Sequence, residues 1–320
     1  MTQSVTIGIT AYNAAPTIER AVRSASAQSW PPCEIIVVDD CSNDSTPDIL
    51  ADLQPATSGL RIFRNQANSG MAAALNTILT FAQGEFLALF DDDDESLPDR
   101  IEAQLKRIVD YESNFAQGAR VVCHTARLQI YPDGSQRVVP TMGQNEGSLA
   151  PSGRAVAERI LLGRPLKNGY GACATCSQMA RTATYKFVGG FDASIRRHSD
   201  TDLNIRLAMT GAHFVGIARP LVVQTMTKGS EKTLLEEYRN TIVLLNKHRE
   251  LLDRPGEYEF SLKWIDAKQA WLEGRIAQSG YLMASLLVKH PILTVCRLVL
   301  AIPNLGLNRA FSRFHLRGGA

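Results

Sequence analysis

Four consecutive aspartates, Asp91-Asp92-Asp93-Asp94, follow the apolar run Glu85 to Phe90. Like charges a few ångströms apart repel and raise one another's pKa, so the cluster is costly unless a counter-ion sits among the carboxylates. Oxygen donors suit hard divalent ions, and Mg²⁺ is commonly held by one or two carboxylates with phosphate oxygens completing its shell. The run therefore points to a diphosphate bound through Mn²⁺ or Mg²⁺; a solvated acidic turn capping the helix after Pro98 is the plainer alternative. A second acidic strand end, Val37-Val38-Asp39-Asp40, leads into Cys41-Ser42-Asn43-Asp44-Ser45-Thr46. Asp39 or Asp40 can accept a hydrogen bond from a base imino group, and Thr10, Tyr12 and Asn13 can line the same pocket by stacking and bonding. The same residue types also serve as ordinary turn and capping groups.

These clusters need a scaffold that gathers strand ends. Short apolar runs alternate with helical patterns over the first hundred residues, the signature of a parallel sheet covered by helices. Strands are expected at Val5 to Thr10, Glu34 to Val38, Leu60 to Phe63 and Glu85 to Phe90. Helices are expected from Pro16, over Pro47 to Leu53 with Thr46 as cap, over Asn68 to Phe81, and from Pro98. Ligands of α/β sheets bind outside the C-terminal ends of strands, so the three clusters should face one crevice. Arg120 to Val139 reads as two antiparallel strands around Pro132-Asp133-Gly134, which makes the sheet mixed. Residues 141–172 form a long loop region with one short helix near Arg154 to Leu162, and His213 to Ile217 returns as a strand. Ser230 to Arg249 and Tyr258 to Ala277 read as long helices, which places a boundary near residue 230.

With 320 residues, 45% of them hydrophobic, and a net charge of +2, the chain can bury a large core, and its first 250 residues carry no basic block of the kind that binds nucleic acid. Met1 to Val5 has no signal-peptide pattern, so a cytoplasmic location is expected. Six scattered cysteines suit reduced thiols, and the lone Cys173-x-x-Cys176 pair lacks the partners of a zinc site. His213 in its strand, and Trp264 and Trp271 seven apart on one helix face, read as packing residues. Residues 281–320 contain no Asp or Glu but carry Lys289, Arg297, Arg309, Arg313 and Arg317 among many aliphatic residues. Their uncharged stretches fall short of the roughly 20 residues of a spanning helix. Two alternatives stay open: a peripheral contact with the inner face of the membrane, or a helix docked on the protein's own core.

Ile9-Thr10-Ala11-Tyr12-Asn13, the run Ile35 to Thr46, Asn68-Ser69-Gly70 with Asn76, Gly84-Glu85-Phe86, and Phe90 to Pro98 resemble, in order and spacing, the motifs of family 2 glycosyltransferases. The resemblance covers roughly residues 4–225. It implies the GT-A fold, a Rossmann-like mixed sheet flanked by helices, over residues 1–229; the helical patterns after the boundary make 230–320 a helical C-terminal extension. It implies inverting, metal-dependent transfer of a hexosyl or N-acetylhexosaminyl group from a nucleotide-sugar, often a UDP-sugar, to a glycan or lipid-linked acceptor in cell-surface polysaccharide synthesis. By that resemblance Asp91 and Asp93 are the ends of the DxD motif and the metal ligands, and Thr10, Tyr12, Asn13, Asp39, Asp40, Asn76, Asp91 and Asp92 surround the nucleotide. Gly189-Gly190-Phe191-Asp192 and Ser199-Asp200-Thr201-Asp202-Leu203 match the second half of the family's site, and Asp200 falls at the catalytic-base position. Ser199 stands where an acidic residue is usual, Leu75 where Arg is frequent, and no Gln-x-x-Arg-Trp follows, which implies a non-processive enzyme. A non-catalytic nucleotide- or glycan-binding relative of the same fold is the alternative.

Overall fold

The computed structural model describes residues 3–226 and 234–301. Strands β1 (Val5–Ala11), β2 (Glu34–Asp39), β3 (Leu60–Arg64) and β4 (Phe86–Asp91) run parallel in the order β3-β2-β1-β4. The sheet continues through β8 (Gln178–Arg181), β6 (Val121–Ile130), β9 (His213–Thr225) and β5 (Asp94–Ser96), and β7 (Gln136–Val139) pairs with β6 as the expected hairpin. β8 is antiparallel to both its neighbours and β5 is antiparallel to β9, whereas β6 and β9 are parallel. The result is the mixed, helix-flanked sheet of the GT-A fold.

The first strands read as unbroken apolar runs because both faces of the sheet are covered. Ile7, Ile9, Val37, Ala88 and Phe90 pack in one core with Ile18 and Val22 of α1 (Ile18–Ser26) and Ile101, Leu105 and Ile108 of α4 (Arg100–Tyr111). The alternate residues Ile36, Val38, Leu87 and Leu89 are equally buried. Gly8 lets α3 (Met71–Phe81) approach closely, since a Cβ there would lie 2.5 Å from Ile78 Cγ2.

Several boundaries differ from expectation for identifiable reasons. α3 begins at Met71 rather than Asn68, because Gly70 has a left-handed φ of 86° and the Ser69 and Gly70 N–H groups donate to Asp40 instead of continuing a helix. Asp94 to Ser96 is a short edge strand, and α4 starts at Arg100 rather than at Pro98. β9 runs on past Ile217 to Thr225 through a bulge opposite Thr125 to Arg127, where Pro220 is tolerated. The long helix expected over Tyr258 to Ala277 is broken at Gly274, giving α9 (Glu257–Leu272) and α10 (Ile276–Lys289).

The remaining helices are α2 (Thr46–Leu53), α5 (Gly153–Leu162), α6 (Thr182–Phe187), α7 (Ser199–Met209), α8 (Leu234–Lys247) and α11 (Pro291–Ala301). The chain divides into two units. One comprises Met1–Ala157 with Leu166–Thr227 and contains the whole sheet; the other comprises Glu158–Pro165 with Lys228–Ala320. In the second unit Arg164 pairs with Glu158 and Glu257, each at 2.6 Å. Trp264 stacks on Phe260 at 6.1 Å between ring centres, whereas Trp271, expected to share its packing role, is more than a third exposed. Among the described residues no helix is long and apolar enough to cross a membrane.

Candidate active site

Parallel pairing aligns the C-terminal ends of the first strands. Thr10 is in register with Asp91, and Ala11 with Asp39, so the expected clusters meet at one end of the sheet. The chain between β1 and α1 then binds the other two loops. Tyr12 N–H donates to Asp92 Oδ2 at 3.2 Å, Asn13 N–H donates to Ser42 Oγ at 2.9 Å, and Asn13 Oδ1 accepts from Asn43 N–H at 2.9 Å. The Tyr12 ring stays 45% exposed, which leaves a face for stacking. Arg20 donates to the Asp93 carbonyl at 2.7 Å and steadies the loop's far side.

Three of the expected nucleotide contacts are already engaged within the protein. Asp40 accepts from Asn65 Nδ2 at 2.7 Å, Ser69 N–H at 3.1 Å and Gly70 N–H at 2.7 Å, so its carboxylate shapes the turn before α3. Asp39 accepts from Ser42 N–H and pairs with Arg64 at 3.3 Å. Asn76 spends both ends of its amide on the backbone of Phe191, at 2.8 Å each, which ties α3 to the Gly-Gly-Phe-Asp turn. Leu75 is buried, so that position offers nothing to a phosphate. Replacing Asp40 by Ala would leave two backbone N–H groups and one amide without their acceptor; a loss of about 3 kcal/mol is expected, read as a shift of the denaturant midpoint.

The aspartate run itself is bent by β5. Asp91 ends β4, and Asp94 turns inward opposite Gln224 on β9, where it is only 4% exposed. Asp91, Asp94 and Cys176 each place a donor atom within 4.8 Å of the others. Asp94 Oδ1 is buried without a hydrogen-bond partner, and Oδ2 has only a long contact, 3.5 Å, from Gln224 Nε2. Burial, then the neighbouring Asp93 and Asp200, push the Asp91 carboxyl up to about 7; burial with Asp91 and Asp93 pushes Asp94 up to about 8. Asp92 is likewise raised to about 7 by burial and Asp93. A divalent cation would relieve this repulsion and supply the missing partner, so the donor set fits a hard ion. Burial holds the Cys176 thiol well above its usual range and hence protonated, which leaves the carboxylates as the stronger donors.

Counter-charge comes from two arginines not singled out in the sequence. Arg100 is fully buried, donating to Gln104, Ser96 Oγ and the Leu89 carbonyl, and it lies over the Phe90 ring at 4.2 Å. Arg127 on β6 donates to Gln224 Oε1 at 3.0 Å, and Gln129 donates to the same oxygen at 2.8 Å. Both arginines lower the Asp91 pKa. Gln224 could not be found by pattern, since its position depends on the β5–β9 pairing of a three-residue strand.

These raised pKa values fix the sign of a pH effect. The native carboxyls hold protons that the unfolded chain, with carboxyls near 4, has released. Their contribution to stability is complete below about pH 4 and is lost as pH rises through 7 to 8. The metal-free chain is therefore expected to show a falling contribution to melting temperature between about pH 5 and pH 8, and Mn²⁺ to stabilise more at the upper end; a melting series with and without chelator reads both.

Asp200 is the second residue of α7, following His198 in a left-handed conformation. Its Oδ1 accepts from Thr201 N–H at 2.7 Å and from the Thr201 hydroxyl at 3.2 Å, and its charge is felt at Asp91. Asp202 plays a different part: it is buried and pairs with Arg206 at 2.8 Å, while Arg206 donates to the Val188 and Gly190 carbonyls. The Gly-Gly-Phe-Asp turn is thereby held from both sides. A Cβ on Gly190 would meet Asn76 Oδ1 at 2.5 Å. His213 has the packing role expected of it, with Nδ1 2.8 Å from the Tyr111 hydroxyl.

Residues 6–160 match the model of glycosyl transferase family 2. Over that region, just under half of its length, the chain is similar to that family. It is 28% identical over 278 residues to the amylovoran biosynthesis glycosyltransferase AmsB of Erwinia amylovora, an alignment covering 85% of this chain and 80% of AmsB. It is 32% identical over 114 residues, 36% of this chain and 44% of the relative, to the Escherichia coli UDP-Glc:alpha-D-GlcNAc-diphosphoundecaprenol beta-1,3-glucosyltransferase WfgD. With some other curated relatives the shared region spans less than half of their length. Among solved structures, the mannosyltransferase PcManGT of Pyrobaculum calidifontis, in complex with GDP-Man and Mn²⁺, superposes with a TM-score of 0.55 at 17% identity over 99% of this chain and 85% of its own. That likeness concerns the fold.

Proposed function

We propose that the chain is a non-processive, inverting glycosyltransferase that moves a sugar from a nucleotide-sugar, most simply a UDP-sugar, to a glycan or lipid-linked acceptor on the cytoplasmic side of the cell envelope. The observation that supports this reading is the acidic cluster of Asp91 and Asp94 at the C-terminal end of the parallel strands, with an unpartnered buried oxygen on Asp94; the charge of Asp200 also acts on Asp91. The names of AmsB and WfgD support the glycan context and, for WfgD, a diphospholipid acceptor.

In this reading Asp91 and Asp93 would hold Mn²⁺ or Mg²⁺, with Asp94 beneath them. When bound, the ion neutralises charge on the departing diphosphate. Tyr12 offers its exposed face to the base, and Thr10 and Asp92 border the same end of the sheet. Asp200 accepts the proton of the acceptor hydroxyl as its oxygen bonds to the anomeric carbon; the bond to the diphosphate breaks on the opposite face, and the electron pair leaves with the nucleotide. Arg100 and Arg127 oppose the upward shift of Asp91 and so favour its charged form. The test is a thermal-shift screen of UDP, GDP, TDP and CMP, each with Mn²⁺, with Mg²⁺ and with chelator. Stabilisation by one nucleotide that depends on metal is the expected result. A folded chain that responds to none of them would instead favour a non-catalytic relative.

A further inference from the structure

The second unit ends, within the described residues, in two helices whose outward faces are apolar. α10 buries Ser279 and Leu286 and presents Ala277, Tyr281, Ala284 and Val288, spaced to form one stripe along the helix. Tyr281 is 76% exposed and Val288 83%. α11 buries Thr294 and presents Ile292, 78% exposed, with Val295 and Val299 at helical spacing. Contiguous apolar surface of this kind is rare on proteins surrounded by water and marks a site that something covers.

The charge pattern says what covers it. No Asp or Glu follows Glu273 in the sequence; Arg275 at the start of α10 pairs with Glu273, Lys289 ends the helix, and Arg309, Arg313 and Arg317 follow outside the described residues. Arg297 is turned inward, over Phe260 and Trp264. A second copy of the chain would bring Lys289 against Lys289 with no Asp or Glu on α10 or α11 to offset it. An anionic lipid surface offers the opposite charge and an apolar layer beneath it. At 1.5 Å per residue the two helices are about 21 Å and 17 Å long, short of the roughly 30 Å hydrocarbon core, so they suit lying along the interface rather than crossing it.

We propose that α10 and α11 dock on an anionic bilayer, with Tyr281, Val288, Ile292, Val295 and Val299 entering the boundary between headgroups and acyl chains and Lys289 meeting the headgroups. The proposal uses none of the residues of the transfer reading and stands or falls apart from it. The test is co-sedimentation of the full chain with phosphatidylcholine vesicles, neutral or carrying about one third phosphatidylglycerol. Binding to the anionic vesicles is expected, weakened several-fold by high salt, with much less on the neutral ones. Val288→Asp combined with Ile292→Asp should lower partitioning about tenfold or more. Both side chains are exposed, so this variant should keep the parent's thermal transition and its nucleotide-induced stabilisation. Failure of the folded parent to bind anionic vesicles would overturn the proposal, as would undiminished binding by the variant. A dimer in sedimentation velocity that the same substitutions dissociate, without vesicle binding, would replace the lipid by a second copy.

Discussion

Asp200→Asn is expected to lower turnover on the order of a thousandfold while leaving the fold intact and donor binding within a few-fold of the parent. The amide keeps an oxygen for Thr201 N–H, which now holds Oδ1 at 2.7 Å, so α7 loses only the interaction of a negative charge with its N-terminus, about 0.5 kcal/mol. In the proposed mechanism the group that disappears is the carboxylate that takes the acceptor's proton. A second consequence separates this role from a general loss of site geometry. Asp200 is one of the charges that raise Asp91, so neutralising it should ease ionisation of Asp91 and make metal-supported nucleotide binding equal to or tighter than the parent's, most clearly near pH 6. Steady-state rates set beside calorimetric binding of the donor make the comparison. Unchanged turnover would remove Asp200 from the mechanism, and loss of both rate and binding would recast it as a structural residue.

The contrast between Asp200 and Asp202 shows how far the sequence could be read. Both are acidic residues in the first turn of α7, and the resemblance to a family separated them by position; burial and the pairing of Asp202 with Arg206 supply the physical reason. The parallel half of the sheet was legible because unbroken apolar runs, turn residues and helical spacing repeat over the first hundred residues, and the three clusters, two of them acidic, follow from where such strands end. β5 and β8 were not, because segments of three and four residues carry no period. Their absence from the reading hid Gln224, Cys176 and the inward turn of Asp94. Asp40 and Asn76 were recognised as important, but a side chain that braces a ligand loop and one that touches the ligand occupy the same motif. Only the bonds to Ser69, Gly70 and Phe191 distinguish them.

Substitution of Asp91 is expected to move stability and activity in opposite directions. Without a cation this carboxyl is held up to about 7 by burial with Asp93 and Asp200, and that of Asp94 up to about 8 by burial with Asp91 and Asp93, so the folded chain near neutral pH must either bind protons or bury repelling charges. An asparagine of the same shape removes one of those charges. The metal-free Asp91→Asn chain should therefore be more stable than the parent by about 1 kcal/mol near pH 8, and the difference should shrink as pH falls and the parent's carboxyls become protonated. In the presence of Mn²⁺ the order reverses, since the parent gains binding energy that the variant has lost. Turnover should fall on the order of a thousandfold, because the variant lacks an anionic oxygen to hold the ion against the diphosphate. Asp93→Asn should share the loss of metal-dependent stabilisation and of turnover, and it too should ease the repulsion, since Asp93 is among the charges that raise Asp91 and Asp94. Melting curves of parent and both variants, with chelator and with Mn²⁺ across that pH range, would reveal the crossing. A variant destabilised under every condition would mean that the acidic run serves the fold, whereas the crossing is the signature of a cluster kept at a cost to stability because it binds a cation.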